Sequence, residues 1–132
     1  MFMLISVGII FAPIILFAQR SQFEVDCPRL CRCNKTTIEC YDTRLEGNEM
    51  FRNIRPEAYP DLDTITITGN IIGDLAGWNI FGDNVTNHYV SLLNLSDNAI
   101  SSIDSYTFRG LPSVEYLYLH NNAIERIGAD PF

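Results

Sequence analysis

Four cysteines, Cys27, Cys31, Cys33 and Cys40, are the residues of this chain best suited to covalent chemistry, packed with the spacing C-x3-C-x-C-x6-C. Thiols so placed can oxidise in pairs or hold zinc. A zinc site calls for C-x2-C pairs or nearby histidines, and neither is present around these cysteines. An even count just after an apolar leader points instead to two disulfides in an oxidising compartment, with three pairings open. The remaining candidates for chemistry are sparse. The two histidines, His88 and His120, accompany no nucleophile elbow, phosphate-cradling glycine loop or paired metal-ligand motif. Asp61 and Asp63 read as turn and strand-edge residues. Catalysis, a metal site and a cofactor are therefore not expected.

The charge balance narrows the partners. Asp plus Glu number 16 against 9 Lys plus Arg, for a net charge of −7. Nucleic acid and anionic membrane surfaces call for basic patches, so both are excluded as expected partners. An acidic, solvated surface also keeps a secreted protein soluble. Residues Met1 to Ala18 carry no charge and are almost wholly apolar, which fits the hydrophobic region of a secretory signal peptide over residues 1–20. No basic residue precedes the run, and its length could just span a bilayer, so an uncleaved anchor stays open as the alternative. Both readings place the rest of the chain outside the cytosol.

The elements that must carry these residues are set by a repeat. Val114, Leu117, Leu119, Asn122, Ile124 and Ile127 reproduce, at an offset of twenty-four residues, Val90, Leu93, Leu95, Asn98, Ile100 and Ile103. A further offset of twenty-eight gives Leu62, Ile65, Ile67, Asn70, Ile72 and Leu75. Such a period signals a solenoid. Within each copy the apolar residues alternate with polar ones, the signature of a short strand with one buried face. One strand cannot bury that face alone, so successive copies must stack into a parallel sheet over a continuous core. Asn70, Asn98 and Asn122 are expected to form a buried ladder, their amides donating to and accepting from turn backbone. Phe108, Phe132 and Ile80 with Phe81 should fill the convex side. The four extra residues of the first repeat should bulge within 81–89.

Three copies of L-x-x-L-x-L-x-x-N-x-L, together with the cysteine spacing, make the segment Cys27 to Phe132 resemble the leucine-rich-repeat family, specifically extracellular members of the Slit, Nogo receptor and decorin type. The resemblance implies an α/β-type solenoid with short parallel strands on the concave face, an irregular convex side and a disulfide-stapled amino-terminal cap. It implies pairing of Cys27 with Cys33 and of Cys31 with Cys40. Domains follow: a cap and degenerate linker over 27–60, then repeats over 62–89, 90–113 and 114–132, the last truncated. In the cap, residues 36–40 should supply the first strand. The linker from Tyr41 to Pro60 has Leu45, Met50, Phe51 and Ile54 but no Asn in register.

Strand alternation also selects a surface. Its outward positions are Thr64, Thr66 and Thr68, then Leu92, Asn94 and Ser96, then Tyr116, Tyr118 and His120. Tyrosines and a histidine beside an exposed leucine are residue types favoured at binding hot spots, so Leu92, Tyr116, Tyr118 and His120 are the candidate partner-binding residues. Acceptor sequons for N-glycosylation stand at Asn34, Asn84 and Asn94. Asn34 and Asn84 should lie in exposed loops, whereas Asn94 should sit on the concave face.

The expected function is non-catalytic recognition of an extracellular protein ligand or matrix protein, in adhesion, receptor recognition or matrix assembly. A structural component of the extracellular matrix is the alternative. The sequence stops where another repeat would begin, so it reads as the front of a longer ectodomain or matrix protein, secreted or extracellular, with a membrane span beyond the given sequence as the alternative. If complete, it should dimerise through the strand 114–119, covering Leu117, Leu119, Ile127 and Phe132.

Overall fold

Short alternating segments become strands because each has one apolar row to bury. The structure, a computed structural model, describes residues 27–44, 46–47, 49–77 and 79–132. The expected leader over residues 1–20, and Leu45, lie outside the described residues. The main sheet contains β1 (Arg32–Cys33), β2 (Thr37–Tyr41), β3 (Thr64–Thr68), β5 (Leu92–Asn94) and β7 (Tyr116–Tyr118), side by side in that order. β1 runs antiparallel to β2, and every later neighbour is parallel. A second sheet joins β4 (Asp74–Leu75), β6 (Ser102–Ile103) and β8 (Arg126–Ile127) in parallel.

The inward row of the main sheet is Ile38 and Cys40, Ile65 and Ile67, then Leu93 and Leu95, all fully buried. Each such aliphatic side chain contributes roughly 1.5–3 kcal/mol by leaving water. Leu75 and Ile103 extend the core under the second sheet, and Met50, Phe51, Ile54, Tyr59, Ile80, Phe81, Phe108 and Leu111 close it on the convex side. Phe51 meets Phe81 edge to face, with ring centroids 5.7 Å apart. Phe132 departs from the expected core filling. Its ring lies 5.4 Å from that of Phe108, yet the side chain is half exposed.

The segment read as a degenerate linker is the solenoid's first turn. β2 pairs with β3 over five residues, from Thr37 with Thr64 to Tyr41 with Thr68. Thr43 takes the ladder position that an asparagine holds in later turns: its backbone amide donates to Asn70 Oδ1 at 3.0 Å and its hydroxyl at 2.5 Å. Beyond it, a short helix at Glu49–Arg52 and a 3-10 turn at Pro56–Ala58 carry the buried Met50, Phe51 and Pro56.

In the cap, Cys27 is bonded to Cys33 and Cys31 to Cys40, with Cα separations of 5.7 and 4.4 Å. The second bridge ties the loop before β1 to the buried row of β2. Each closes a short loop and contributes roughly 2–3 kcal/mol if the effect is taken as lost unfolded-state entropy.

The additional length of the first repeat lies between Ile80 and Asn87. Asn79 and Ile80 donate to Tyr106 and Thr107, a donor-to-acceptor offset of twenty-seven, whereas Asn87 donates to Gly110, an offset of twenty-three. The four residues are absorbed where Asn79 Nδ2 reaches across to the carbonyl of Val85 at 2.8 Å. Asn87, itself buried, ends the bulge. Its Nδ2 donates to the carbonyls of Pro56 and Tyr59, and its Oδ1 accepts from the amides of Tyr89 and Val90.

Candidate protein-binding face

The face is positioned by the turns that end each strand. Asp42, Gly69, Asp97 and Asn121 occupy equivalent places and all have positive φ, from 45° to 73°. That region suits glycine, and Asp and Asn tolerate it better than other side chains. A Cβ at Gly69 would fall 2.0 Å from Asp42 Oδ1, so the Asp42 carboxylate would have to turn aside to admit one. Immediately after comes the asparagine ladder. Asn98 Oδ1 accepts from Asn70 N at 3.1 Å, and Asn122 Oδ1 from Asn98 N at 3.0 Å and Ile100 N at 2.9 Å. Asn98 Nδ2 donates to the carbonyls of Ile67 and Ser96, and Asn122 Nδ2 to those of Leu95 and Leu119. The strands are thereby locked in lateral register, and so are the side chains on their outer face.

Register then fixes neighbours across that face. Thr37, Thr64, Leu92 and Tyr116 form one row, and Glu39, Thr66, Asn94 and Tyr118 the next. Tyr116 and Tyr118 are 54% and 43% exposed, Leu92 is half-buried, and His120 is exposed. The rings of Tyr118 and His120 lie 6.3 Å apart, edge to face. The four candidate residues thus share one surface. Ser96 does not join them as the alternation implied: it is 3% exposed. β5 ends at Asn94, where a local turn takes over and both the amide and the hydroxyl of Ser96 donate to Asn94 Oδ1.

Sequence reasoning passed over the face's other end. Tyr41 is half exposed on β2 and its phenol is held above its ordinary value, first by loss of solvation and then by the charge and hydrogen bond of Glu39. The same alternation applied to residues 37–41 would have found both. The carboxylates considered for chemistry have structural partners instead. Asp61 holds Lys35 Nζ at 2.7 Å and raises that amine's pKa, while Asp63 accepts the hydroxyls of Ser91 and Thr64. His88 precedes β5 and His120 follows β7, so the two histidines stand at opposite ends of parallel strands. Among the described residues no group of three or more His, Cys, Asp or Glu is placed to hold a metal ion, and no helix is long and apolar enough to cross a membrane.

The sequons differ in setting. Asn34 is exposed in the β1–β2 turn, where its Oδ1 accepts from Thr36 N, Thr36 Oγ1 and Thr37 N. Asn84 is exposed in the bulge of the first repeat. Asn94 is half-buried in the middle of the face, between Thr66 and Tyr118.

The sequence model of the leucine rich repeat family matches residues 86–132. The fold is a leucine-rich-repeat solenoid. Over 114 aligned residues the chain is 30% identical to leucine-rich repeat-containing protein 3B of Bos taurus, and equally to the proteins of that name from Mus musculus and Homo sapiens. The alignments take in 80% of this chain and 39% of each relative, so the chain spans about two fifths of the length of the curated relatives it matches. No solved structure gives a significant match. Leucine-rich-repeat solenoids are typically non-catalytic scaffolds that bind protein partners, and no enzyme family is indicated.

Proposed function

We propose that this chain is an extracellular recognition module that binds a protein ligand or matrix protein through its concave face, in adhesion, receptor recognition or matrix assembly. The observation that carries the reading is the row Leu92–Tyr116 with Tyr118 and His120 beside it. Tyrosine gives a large contact area at low cost in side-chain entropy, and its hydroxyl can hydrogen-bond at a partly wet interface. These side chains are held on a rigid sheet, so little ordering is left to offset on binding.

The extracellular setting is supported by the two disulfides of the cap, bonds that persist where thiols are not kept reduced. The apolar start of the sequence agrees with export. The cap itself we assign to the Slit and Nogo receptor type on its cysteine spacing. The three sequons are the proposed glycan acceptors. A glycan at Asn34 or Asn84 leaves the concave face clear, whereas one at Asn94 would shade it.

The experiment is a binding screen of the chain, with its disulfides formed, against an array of purified extracellular domains that includes the chain itself. A discrete one-to-one complex that is lost with Tyr116→Ala/Tyr118→Ala supports the reading. Self-association through β7 would make the partner a second copy. Fibre association insensitive to both tyrosines would instead indicate a matrix component, and the concave-face reading would fall.

A further inference from the structure

The four parallel strands of the main sheet, with the residues that flank them, span 36–42, 63–69, 91–97 and 115–121. They contain Glu39, Asp42, Asp63, Asp97 and Glu115, and not one Lys or Arg. Of the described cations, Arg29, Lys35, Arg44, Arg52, Arg55, Arg109 and Arg126 lie outside the main sheet, with Lys35 held by Asp61, and Arg32 stands on the antiparallel edge strand β1, opposite Glu39. The carboxylates are not scattered. Asp63 and Glu115 are exposed where strands enter the sheet, Asp42 and Asp97 are exposed where strands leave it, and Glu39 stands within the face on β2. Tyrosines occupy both ends of this run of four parallel strands, Tyr41 on β2 and Tyr116 with Tyr118 on β7. Three strand-to-strand steps separate those ends, roughly 14 Å at the usual spacing.

We propose that this face takes an arginine-bearing segment of its protein partner, a proposal that rests on the concave-face reading above and adds the chemistry of what binds. Guanidinium groups match both features at once. They stack on exposed tyrosine faces by cation–π attraction and donate paired hydrogen bonds to carboxylates at the rim. Rim carboxylates also steer a cationic partner toward the face and repel an acidic one, which raises the association rate and sets specificity. Leu92 and the methyl groups of Thr64 and Thr66 supply apolar contact between the arginines.

The test uses the full chain with its disulfides formed and three short fluorescent peptides. One repeats Arg-Val-Ser-Ser, and the others carry Gln or Glu in place of Arg. Anisotropy at low and at physiological ionic strength gives the affinities. The arginine peptide should bind about tenfold more tightly than the other two, with salt weakening it. Tyr116→Ala/Tyr118→Ala and Glu39→Gln/Asp97→Asn should each weaken it several-fold. The exposed pair Asp83→Asn/Glu125→Gln, outside the face, should not. Equal loss in that pair, or no binding of the arginine peptide, overturns the proposal. If all three peptides bind alike and only the tyrosine variant weakens them, the concave-face reading stands and the charge preference falls. If the tyrosine variant changes nothing for any bound peptide, both fall. Thermal unfolding of each variant confirms that the fold is kept.

Discussion

The backbone amide of Asn70 donates to the side-chain oxygen of Asn98 at 3.1 Å across twenty-eight residues of sequence, joining two turns of the solenoid through a fully buried side chain. Asn98 Nδ2 meanwhile satisfies the carbonyls of Ile67 and Ser96. Asn98→Ala would leave that amide and both carbonyls unpaired inside the protein. At about 1–3 kcal/mol for each orphaned group, the loss should be at least 3 kcal/mol, measured as a lowered midpoint in urea with an unchanged slope. Thr43→Ala, at the ladder's far end, should cost less, since Asn70 Oδ1 keeps the backbone amide of residue 43 and only the hydroxyl's hydrogen bond is lost.

That ladder also marks how far the fold could be read in the sequence. Asn70, Asn98 and Asn122 were legible because the apolar residues around them repeat and a buried amide has few other uses there. Thr43 was not, because a hydroxyl fills the position with different chemistry and leaves no mark in an asparagine pattern. Asn87 was missed for another reason: its partners, Pro56 and Tyr59, belong to an irregular convex segment with no period to follow. On the concave face, alternation located Tyr116 and Tyr118 on β7. It misplaced Ser96, because β5 ends two residues earlier than the pattern suggests.

Gly110 tests the bulge. A Cβ at this position would come within 2.7 Å of the carbonyl oxygen of Val85 and 2.6 Å of Asn79 Oδ1. The obstruction includes backbone, so it cannot simply rotate away. Gly110→Ala should destabilise by about 1–3 kcal/mol, the usual range for overpacking. Gly47→Ala, where no atom lies within 4 Å, should cost only the strain of its positive φ. Calorimetric melting of the two variants compares these costs directly.

The acid limb of stability should depend on Asp74. Hydrogen bonds from the hydroxyls of Ser101 and Ser102, at 2.6 and 2.8 Å, hold its carboxyl below the ordinary aspartate value. The folded state therefore binds that proton less readily than the unfolded chain. Its stabilising contribution is present above the ordinary pKa and is lost as pH falls through the lowered one. Asp74→Asn should flatten the decline in melting temperature below about pH 4. A decline as steep as in the unsubstituted chain would count against this role.

A glycan placed on the sheet offers a test of occupancy independent of side-chain chemistry. Thr66→Asn creates an Asn-Ile-Thr sequon in the middle of the face, between Glu39 and Asn94. Thr66 is only half-buried, so stability should change by under about 1 kcal/mol, while a partner bound by the unsubstituted chain should be excluded once mass spectrometry shows the site occupied. Retained binding at full occupancy would move the interface off this face.

Affinity for a partner identified from an extracellular-domain array, measured before and after Tyr116→Ala/Tyr118→Ala, bears most directly on the function proposed for the solenoid. Both tyrosines are about half exposed, so the double variant should fold with nearly unchanged stability. A loss of affinity of about tenfold or more, carried mainly by faster dissociation, is the predicted result. Unchanged affinity in a folded double variant, with binding lost instead on substitution of the convex surface, would contradict it.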